Sequence, residues 1–315
     1  MNNRRAFIVG IGKAKLSIKE KKFLKKFRPW GVILFTRNIK SIKQTSKLTS
    51  SIRKIFNDQK YPILIDQEGG RVNRLRNIIS FDNLTSEFFG NKYVKNYKEF
   101  KFFYKLFIDK TSFLLKSIGA NINTVPVLDL RSKGSSNVIG NRSYSKNPHL
   151  VSKIGDYCIK YFHENGIGTV IKHIPGHGLA KVDSHYFTPT VNAKPSFLLK
   201  KDFVAFKNKK TFFAMTAHVI FKKFDDKNTV THSKKLIKLI RSKIGFKNIL
   251  ISDDLSMKSL KGSLKKNTIK TFNAGCNLAL HCNGNLKEME IVGKNSPLID
   301  RFIHKKTSEF YKILG

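Results

Sequence analysis

Three histidines stand close together in residues 172–185: His173, His177 and His185. Histidine exchanges protons near neutral pH and also binds metals, so this segment could serve acid/base catalysis or hold a metal ion. Metal sites on closely spaced histidines usually rely on a helix to bring both rings to one face. The proline and glycines between these histidines exclude a regular helix and indicate a long loop. We therefore expect no metal site, and a metal-dependent hydrolase using His173, His177 and Asp253 is kept as a weaker alternative.

One serine separates Asp183 from His185 on this loop. If the Asp183 carboxylate accepts the Nδ1 proton of His185, it fixes the imidazole tautomer and stabilises the imidazolium, which is the arrangement of an acid/base histidine. The alternative is a loop aspartate that caps a turn beside an unrelated histidine. The spacing alone does not choose between these two readings.

Ionisable or strongly polar residues follow six of the eight apolar runs in the sequence. In chain order they are Asp66 and Glu68, Asp129, Lys172 and His173, His218, Asp253 and Asp254, and finally His281 and Asn283. If the runs are parallel strands of a barrel, these residues meet at the rim formed by the carboxyl ends of the strands. Convergence from six strands predicts a catalytic site, although the sequence alone does not choose between Asp253 and Asp254 as its carboxylate.

The elements that must position these residues are short apolar runs alternating with amphipathic stretches. The eight runs are 7–11, 32–35, 63–65, 122–128, 169–171, 212–217, 249–251 and 278–280. Unbroken apolar runs are typical of strands buried on both faces of a parallel sheet. Between them, apolar residues recur at three- and four-residue spacing, and glycines precede several strands. The pattern predicts an α/β fold, a single (β/α)8 TIM-type barrel domain over residues 1–315.

The charge balance is strongly basic, with 61 lysines and arginines against 21 acidic residues and a formal net charge of +40. The lysines are spread over almost every candidate helix, and no purely basic segment or repeated aromatic-basic pattern occurs. This distribution favours a solvated basic surface over a dedicated nucleic-acid site. The same charge would attract acidic substrates at low salt.

Cysteine usage and hydropathy indicate the cellular compartment of the protein. Three cysteines without a Cys-x-x-Cys pair fit a reducing compartment. The apolar run near the start is better explained as a first buried strand than as a signal peptide, and no run reaches the ~20 apolar residues that a membrane span needs. We expect a cytoplasmic, soluble monomer with no cofactor and no membrane or specific nucleic-acid partner.

Several motifs together resemble the family 3 glycoside hydrolases, in particular the bacterial β-N-acetylglucosaminidases of peptidoglycan recycling. The matching segments, which occur in the family's order over nearly the whole chain, are 34–38, 65–72, 126–129, 141–144, 172–178, 183–185, 217–220 and 252–257. Each motif alone is weak, but the ordered set is specific. The resemblance implies the same barrel fold and a small carbohydrate substrate.

The resemblance also implies roles for individual residues. Asp253 would be the nucleophile of a retaining mechanism, and His185 oriented by Asp183 would be the general acid/base. The residues that would grip the terminal sugar are Asp66, Arg74, Arg142, Lys172 and His173. The structural alternative for Arg74 and Arg142 is an ion pair with Glu68 or Asp129. Asp129 and His218 are expected to support the site.

The function implied by the resemblance is the release of terminal non-reducing N-acetylglucosamine from muropeptides during peptidoglycan recycling. A histidine base keeps a second anion away from the reaction centre, so phosphate as well as water is conceivable as the second nucleophile. An N-acetylglucosaminide phosphorylase of the same family is therefore the alternative.

Overall fold

The computed structural model of the protein describes residues 3–132, 137–184 and 186–315. Eight parallel strands close into a barrel in which each strand pairs with its neighbours in chain order, and the eighth pairs with the first. The barrel strands are β1 (Arg5–Gly10), β2 (Pro29–Leu34), β3 (Ile63–Ile65), β4 (Ile122–Asn123), β5 (Gly168–Ile174), β6 (Phe213–Thr216), β7 (Ile249–Asp254) and β8 (Leu278–His281). The predicted (β/α)8 barrel is confirmed.

Each of the eight predicted apolar runs overlaps one barrel strand. The fourth run, 122–128, was predicted too long, because β4 ends at Asn123. The segment after it contains Pro126, which has no backbone N–H to donate to a sheet. It continues alongside β5 through a single bridge between Val127 and Lys172. A separate pair of short parallel strands, Thr190–Val191 and Ile220–Phe221, lies outside the barrel and was not predicted.

Helices surround the barrel and connect its strands. They are α1 (Ile18–Phe27), α2 (Ile42–Phe56), α3 (Ser86–Lys95), α4 (Tyr97–Ser117), α5 (Pro148–Glu164), α6 (Pro195–Lys200), α7 (Lys234–Leu239), α8 (Leu264–Ala274), α9 (Leu286–Asn295) and α10 (Arg301–Tyr311). Several begin at a side-chain cap, as α1 does where Ser17 and Glu20 form a reciprocal capping box. α8 ends at Gly275, whose φ of 108° is a left-handed conformation that favours glycine.

The core has two layers because neighbouring residues of a strand point to opposite faces. In β1, Phe7 and Val9 pack toward the helices, whereas Ile8 joins the apolar cluster inside the barrel. α10 closes the amino-terminal end of that interior: Phe310 packs edge to face on Phe213 at 5.2 Å between ring centroids. The opposite end, where the strands terminate, is left for the polar site.

Candidate active site

A cavity of about 170 Å3 opens at the carboxyl ends of the strands. Its floor includes Ile33, Met215 and Leu280, which belong to the apolar cluster inside the barrel. Six of the residues predicted from sequence line its walls: Asp66, Arg74, Arg142, Lys172, His173 and Asp253. The barrel therefore brings together side chains that are up to 187 positions apart in the sequence.

Two carboxylates after β3 and three cations form one network at the cavity. Arg74 Nη2 donates to Asp66 Oδ2 at 2.9 Å, and Lys172 Nζ donates to Asp66 Oδ1. Lys172 Nζ also lies 2.6 Å from Glu68 Oε1. Arg142 binds Glu68 through two parallel bonds, Nε to Oε2 at 2.7 Å and Nη2 to Oε1 at 2.8 Å. The alternative of an ion pair with Glu68 is thus realised by Arg142, whereas Arg74 pairs with Asp66.

The cations keep both carboxylates ionised despite their burial. Burial alone would raise the pKa of Asp66, but Lys172 and Arg74 outweigh it and hold that pKa well below its usual range. Burial likewise opposes ionisation of Glu68, and Arg142 with Lys172 lowers its pKa. The site therefore presents fixed acceptors and donors, which is what recognition of sugar hydroxyls requires.

His173 is held in one orientation by Asp129. Its Nδ1 lies 2.6 Å from Asp129 Oδ2, and Asp129 also accepts the backbone N–H groups of His173 and His177. An ionised carboxylate only accepts, so Nδ1 of His173 carries the proton in this bond. Asp129 thus has the supporting role expected of it.

The two adjacent aspartates at the end of β7 have different surroundings. The Asp254 carboxylate accepts from Ser256 N at 3.0 Å, Ser256 Oγ at 2.7 Å and Cys282 N at 3.1 Å, so it fastens the following turn to the end of β8. Both aspartates line the cavity, and Asp253 Oδ1 accepts from Asp254 N at 2.8 Å. These contacts assign a positioning role to Asp254.

His218, which follows β6, contacts the end of β7. Its Nε2 donates to the Asp254 carbonyl at 3.0 Å, and its Nδ1 accepts from the Thr231 hydroxyl at 2.7 Å. Burial lowers the pKa of His218, so the ring is neutral in this network. The supporting role expected of His218 is therefore a contact with the backbone next to Asp253.

The loop after β5 reaches the cavity, since His177 and Ser184 line it. His177 Nε2 lies 3.3 Å from Ser184 Oγ, and burial lowers the pKa of His177 to about 4. Gly178 is needed where the loop crosses the chain, because an added Cβ would stand 2.1 Å from the Leu130 carbonyl oxygen. Asp183 is described and makes contacts, whereas the predicted acid/base residue His185 lies outside the described residues.

Some contributors to the site were not anticipated. Thr124 donates to Asp66 Oδ1, and Phe35 lies under the Arg74 guanidinium at 5.2 Å. Met257 and Cys282 complete the wall near Asp253. Position immediately after a strand is the signal that could have identified Thr124 and Phe35, but neither residue type alone indicates a site.

The metal-dependent alternative requires several ligating side chains around one point. Among residues 3–132, 137–184 and 186–315, no group of three or more histidine, cysteine, aspartate or glutamate side chains is placed to hold a metal ion. His173 Nδ1 is already engaged with Asp129.

Comparisons with known proteins indicate the family of this chain. The family model described as glycosyl hydrolase family 3 N terminal domain matches residues 7–300. A beta-hexosaminidase of Thioalkalivibrio sulfidiphilus is 31% identical over 274 residues, which are 85% of this chain and 78% of that protein. A beta-hexosaminidase of Tolumonas auensis is 32% identical over 295 residues, which are 91% of this chain and 85% of that protein.

Comparison of the fold with solved structures is consistent with the same family. The structure of NagZ from Neisseria gonorrhoeae in complex with N-trifluoroacetyl-D-glucosamine matches with a TM-score of 0.87 and 26% sequence identity. The match covers 99% of this chain and 92% of that chain, so the likeness extends over the whole barrel and its loops.

Proposed function

This chain belongs to glycosyl hydrolase family 3 and is a β-N-acetylhexosaminidase, and we propose that it releases terminal non-reducing N-acetylglucosamine from muropeptides. The observation that carries the proposal is a single cavity of about 170 Å3 in which Asp253 faces the same space as Asp66, Lys172 and His173.

Asp253 is the nucleophile of a retaining mechanism in this proposal. Its carboxylate attacks the anomeric carbon while the leaving oxygen takes a proton from the general acid, giving a covalent glycosyl-enzyme. Water, activated by the same group acting as base, then breaks the ester and releases the sugar with its original configuration. The engagement of Asp254 by three neighbouring donors supports this choice between the two aspartates.

The general acid/base is His185, oriented by Asp183. The support is the sequence spacing and the path of the loop, because Ser184, which stands between them, lines the cavity. A residue on such a loop can approach the scissile bond once the sugar is bound.

The sugar is gripped by Asp66, Arg74, Arg142, Lys172 and His173. Two cations hold the Asp66 carboxylate in place. Its remaining lone pairs can therefore accept from sugar hydroxyls without any further loss of side-chain freedom. Lys172 supplies a donor nearby, and the imidazole of His173, held by Asp129, lines the same cavity. Arg142, tied to Glu68 by two bonds, contributes mainly by shape and charge.

The biological setting follows from the same proposal. Residues 1–315 act as one catalytic domain, since barrel strands span positions 5 to 281 and the family match spans 7–300. A cytoplasmic monomer acting in peptidoglycan recycling fits the cysteine content, and no helix of the described chain is long and apolar enough to cross a membrane. The formal charge of +40 suits a substrate with acidic peptide groups.

Product analysis on an anhydro-muropeptide tests the proposal. Free N-acetylglucosamine should be released at the same rate with and without phosphate, and the matching nitrophenyl glucoside should be a much poorer substrate than the N-acetylglucosaminide. Formation of the sugar 1-phosphate would identify the phosphorylase alternative instead. Failure to release any N-acetylglucosamine from the muropeptide would refute the proposed substrate.

A further inference from the structure

The exposed apolar side chains of this protein are concentrated on one helical hairpin. Of the sixteen large hydrophobic residues exposed on the described part of the chain, seven lie between residues 86 and 117, on or between α3 and α4. That segment is about a tenth of the sequence. Scattered exposed hydrophobics need no explanation, but a contiguous group of this kind marks an interaction surface.

Three of these residues form a ridge along α4, the α4 ridge: Phe102, Leu106 and Phe113. They are 65%, 54% and 59% exposed. At 3.6 residues per turn they fall within an arc of about 40° and extend over roughly 16 Å of the helix. The face of α4 that packs on the barrel carries other residues, among them Phe100, Tyr104 and Leu115. The ridge is therefore the part of the helix that projects furthest into solvent.

Further aromatic residues widen the ridge. Phe103 contacts Phe102 at 5.3 Å between ring centroids. The Lys92 ammonium lies 4.8 Å from the Phe103 ring centroid and 6.0 Å from that of Phe88 on α3. The apolar surface thus continues from α4 to α3, with a lysine lying across it.

The surroundings of the α4 ridge are positively charged. Residues 86–117 contain seven lysines and three acidic residues. Each acidic residue is engaged in an ion pair: Glu87 with Arg131, Glu99 with Lys92, and Asp109 with Lys105. By helix geometry, Lys98 and Lys116 lie within about 40° of the ridge on one side, and Lys110 lies within about 40° of it on the other.

We propose that the α4 ridge and the lysines beside it attach the protein reversibly to an anionic lipid surface. A helix with aromatic and leucine side chains on its outermost face, flanked by lysines, suits shallow insertion at the boundary between headgroups and acyl chains. Lysines next to the inserted side chains are attracted by anionic headgroups. This proposal departs from the expectation of no membrane partner, which was based on the lack of a spanning run.

The positive charge around the α4 ridge favours an anionic lipid surface over a second copy of this chain as the binding partner. A symmetric dimer through the ridge would bring two lysine-rich faces together, which like-charge repulsion opposes. An anionic bilayer supplies the complementary charge. The ridge lies on the outer side of the helical layer, whereas the cavity opens at the strand ends, so attachment leaves a route for substrate.

Vesicle sedimentation with the full-length protein tests the proposal. The probes are vesicles of phosphatidylcholine alone and of phosphatidylcholine with phosphatidylglycerol. The test variant is F102S/L106S/F113S. The matched control, I18S/I269S/L298S, removes three exposed apolar side chains from other faces of the molecule. Unfolding curves and hydrolysis of a nitrophenyl N-acetylglucosaminide are the checks that both variants are folded.

The wild type should bind the anionic vesicles and not the neutral ones. The ridge variant should lose about tenfold or more in apparent affinity, because the inserted apolar area is gone, while the control changes less than about twofold. Binding that remains in the ridge variant should disappear with added salt, since only the general basic charge is left.

Three results would overturn the proposal. The first is equal binding of the ridge variant and wild type, and the second is an equal loss in the control variant. The third is a concentration-dependent dimer of the wild type that the ridge substitutions abolish, without vesicle binding, which would assign the face to a second copy.

Discussion

Asp202 should make the protein less stable as pH rises, and its replacement by asparagine should remove that loss. Asp202 is 2% exposed, its Oδ2 has no hydrogen-bond partner among the described residues, and it packs against Gly176 of the loop after β5. Burial raises the pKa of this carboxyl from its ordinary value of 3.8 to about 6. Burial outweighs the attraction of the Lys201 charge, so this carboxyl is costly to ionise inside the fold.

The magnitude follows from linkage between proton binding and folding. The folded-state pKa of Asp202 is above the unfolded value, so between about pH 4 and pH 6 the folded protein keeps a proton that the unfolded chain releases. Stability therefore falls as pH rises through that window, and the loss is complete above it. At about 1.4 kcal/mol per pKa unit, the loss comes to roughly 3 kcal/mol.

Urea unfolding at about pH 4 and about pH 8 measures this contribution. D202N should raise the free energy of unfolding at the higher pH by up to roughly 3 kcal/mol and leave it nearly unchanged at the lower pH. D226N is the matched control, because it removes the same charge from an exposed site. If D202N were no more stable than wild type at the higher pH, or were stabilised equally at both pH values, ionisation of Asp202 would not be the cause of the stability loss.

Three further predictions concern the chemistry of the loop and of metals. H185A should reduce kcat/KM more for a sugar aglycone than for nitrophenyl glycoside, because nitrophenolate leaves with little proton assistance; an equal loss on both would exclude His185 as general acid. D183A should lower the pKa of His185, because the imidazolium no longer has a neighbouring carboxylate to stabilise it, and the alkaline limb of the kcat/KM profile should move to lower pH. An alkaline limb that stays in place would show that Asp183 only caps a turn. Strong chelators should leave kcat unchanged, and a loss restored by added metal would revive the metal-dependent alternative.

The sequence was sufficient to predict the barrel and the gathering of the site, because both depend on local patterns. Apolar runs define where strands lie, and parallel strands necessarily deliver the residues that follow them to one rim. Lys172 and Asp66 therefore meet across the barrel although 106 positions separate them.

Partner choice within the site could not be predicted in the same way. Side-chain direction and strand register decide whether Arg142 binds Glu68 or a sugar, and whether Thr124 reaches Asp66. The spacing of residues in the sequence does not encode either of them. The early end of β4 has the same kind of cause, because Pro126 and the path of the following segment beside β5 outweigh the apolar pattern.

Peptide mapping of the trapped enzyme tests the central proposal most directly. A slow fluorinated N-acetylglucosaminyl donor with a good leaving group should accumulate the glycosyl-enzyme, and mass spectrometry of the peptide containing β7 should find one sugar attached to Asp253. The released product should keep the β configuration. An adduct on Asp254 or elsewhere, or a product of inverted configuration with no adduct, would contradict Asp253 as the nucleophile of a retaining glycosidase.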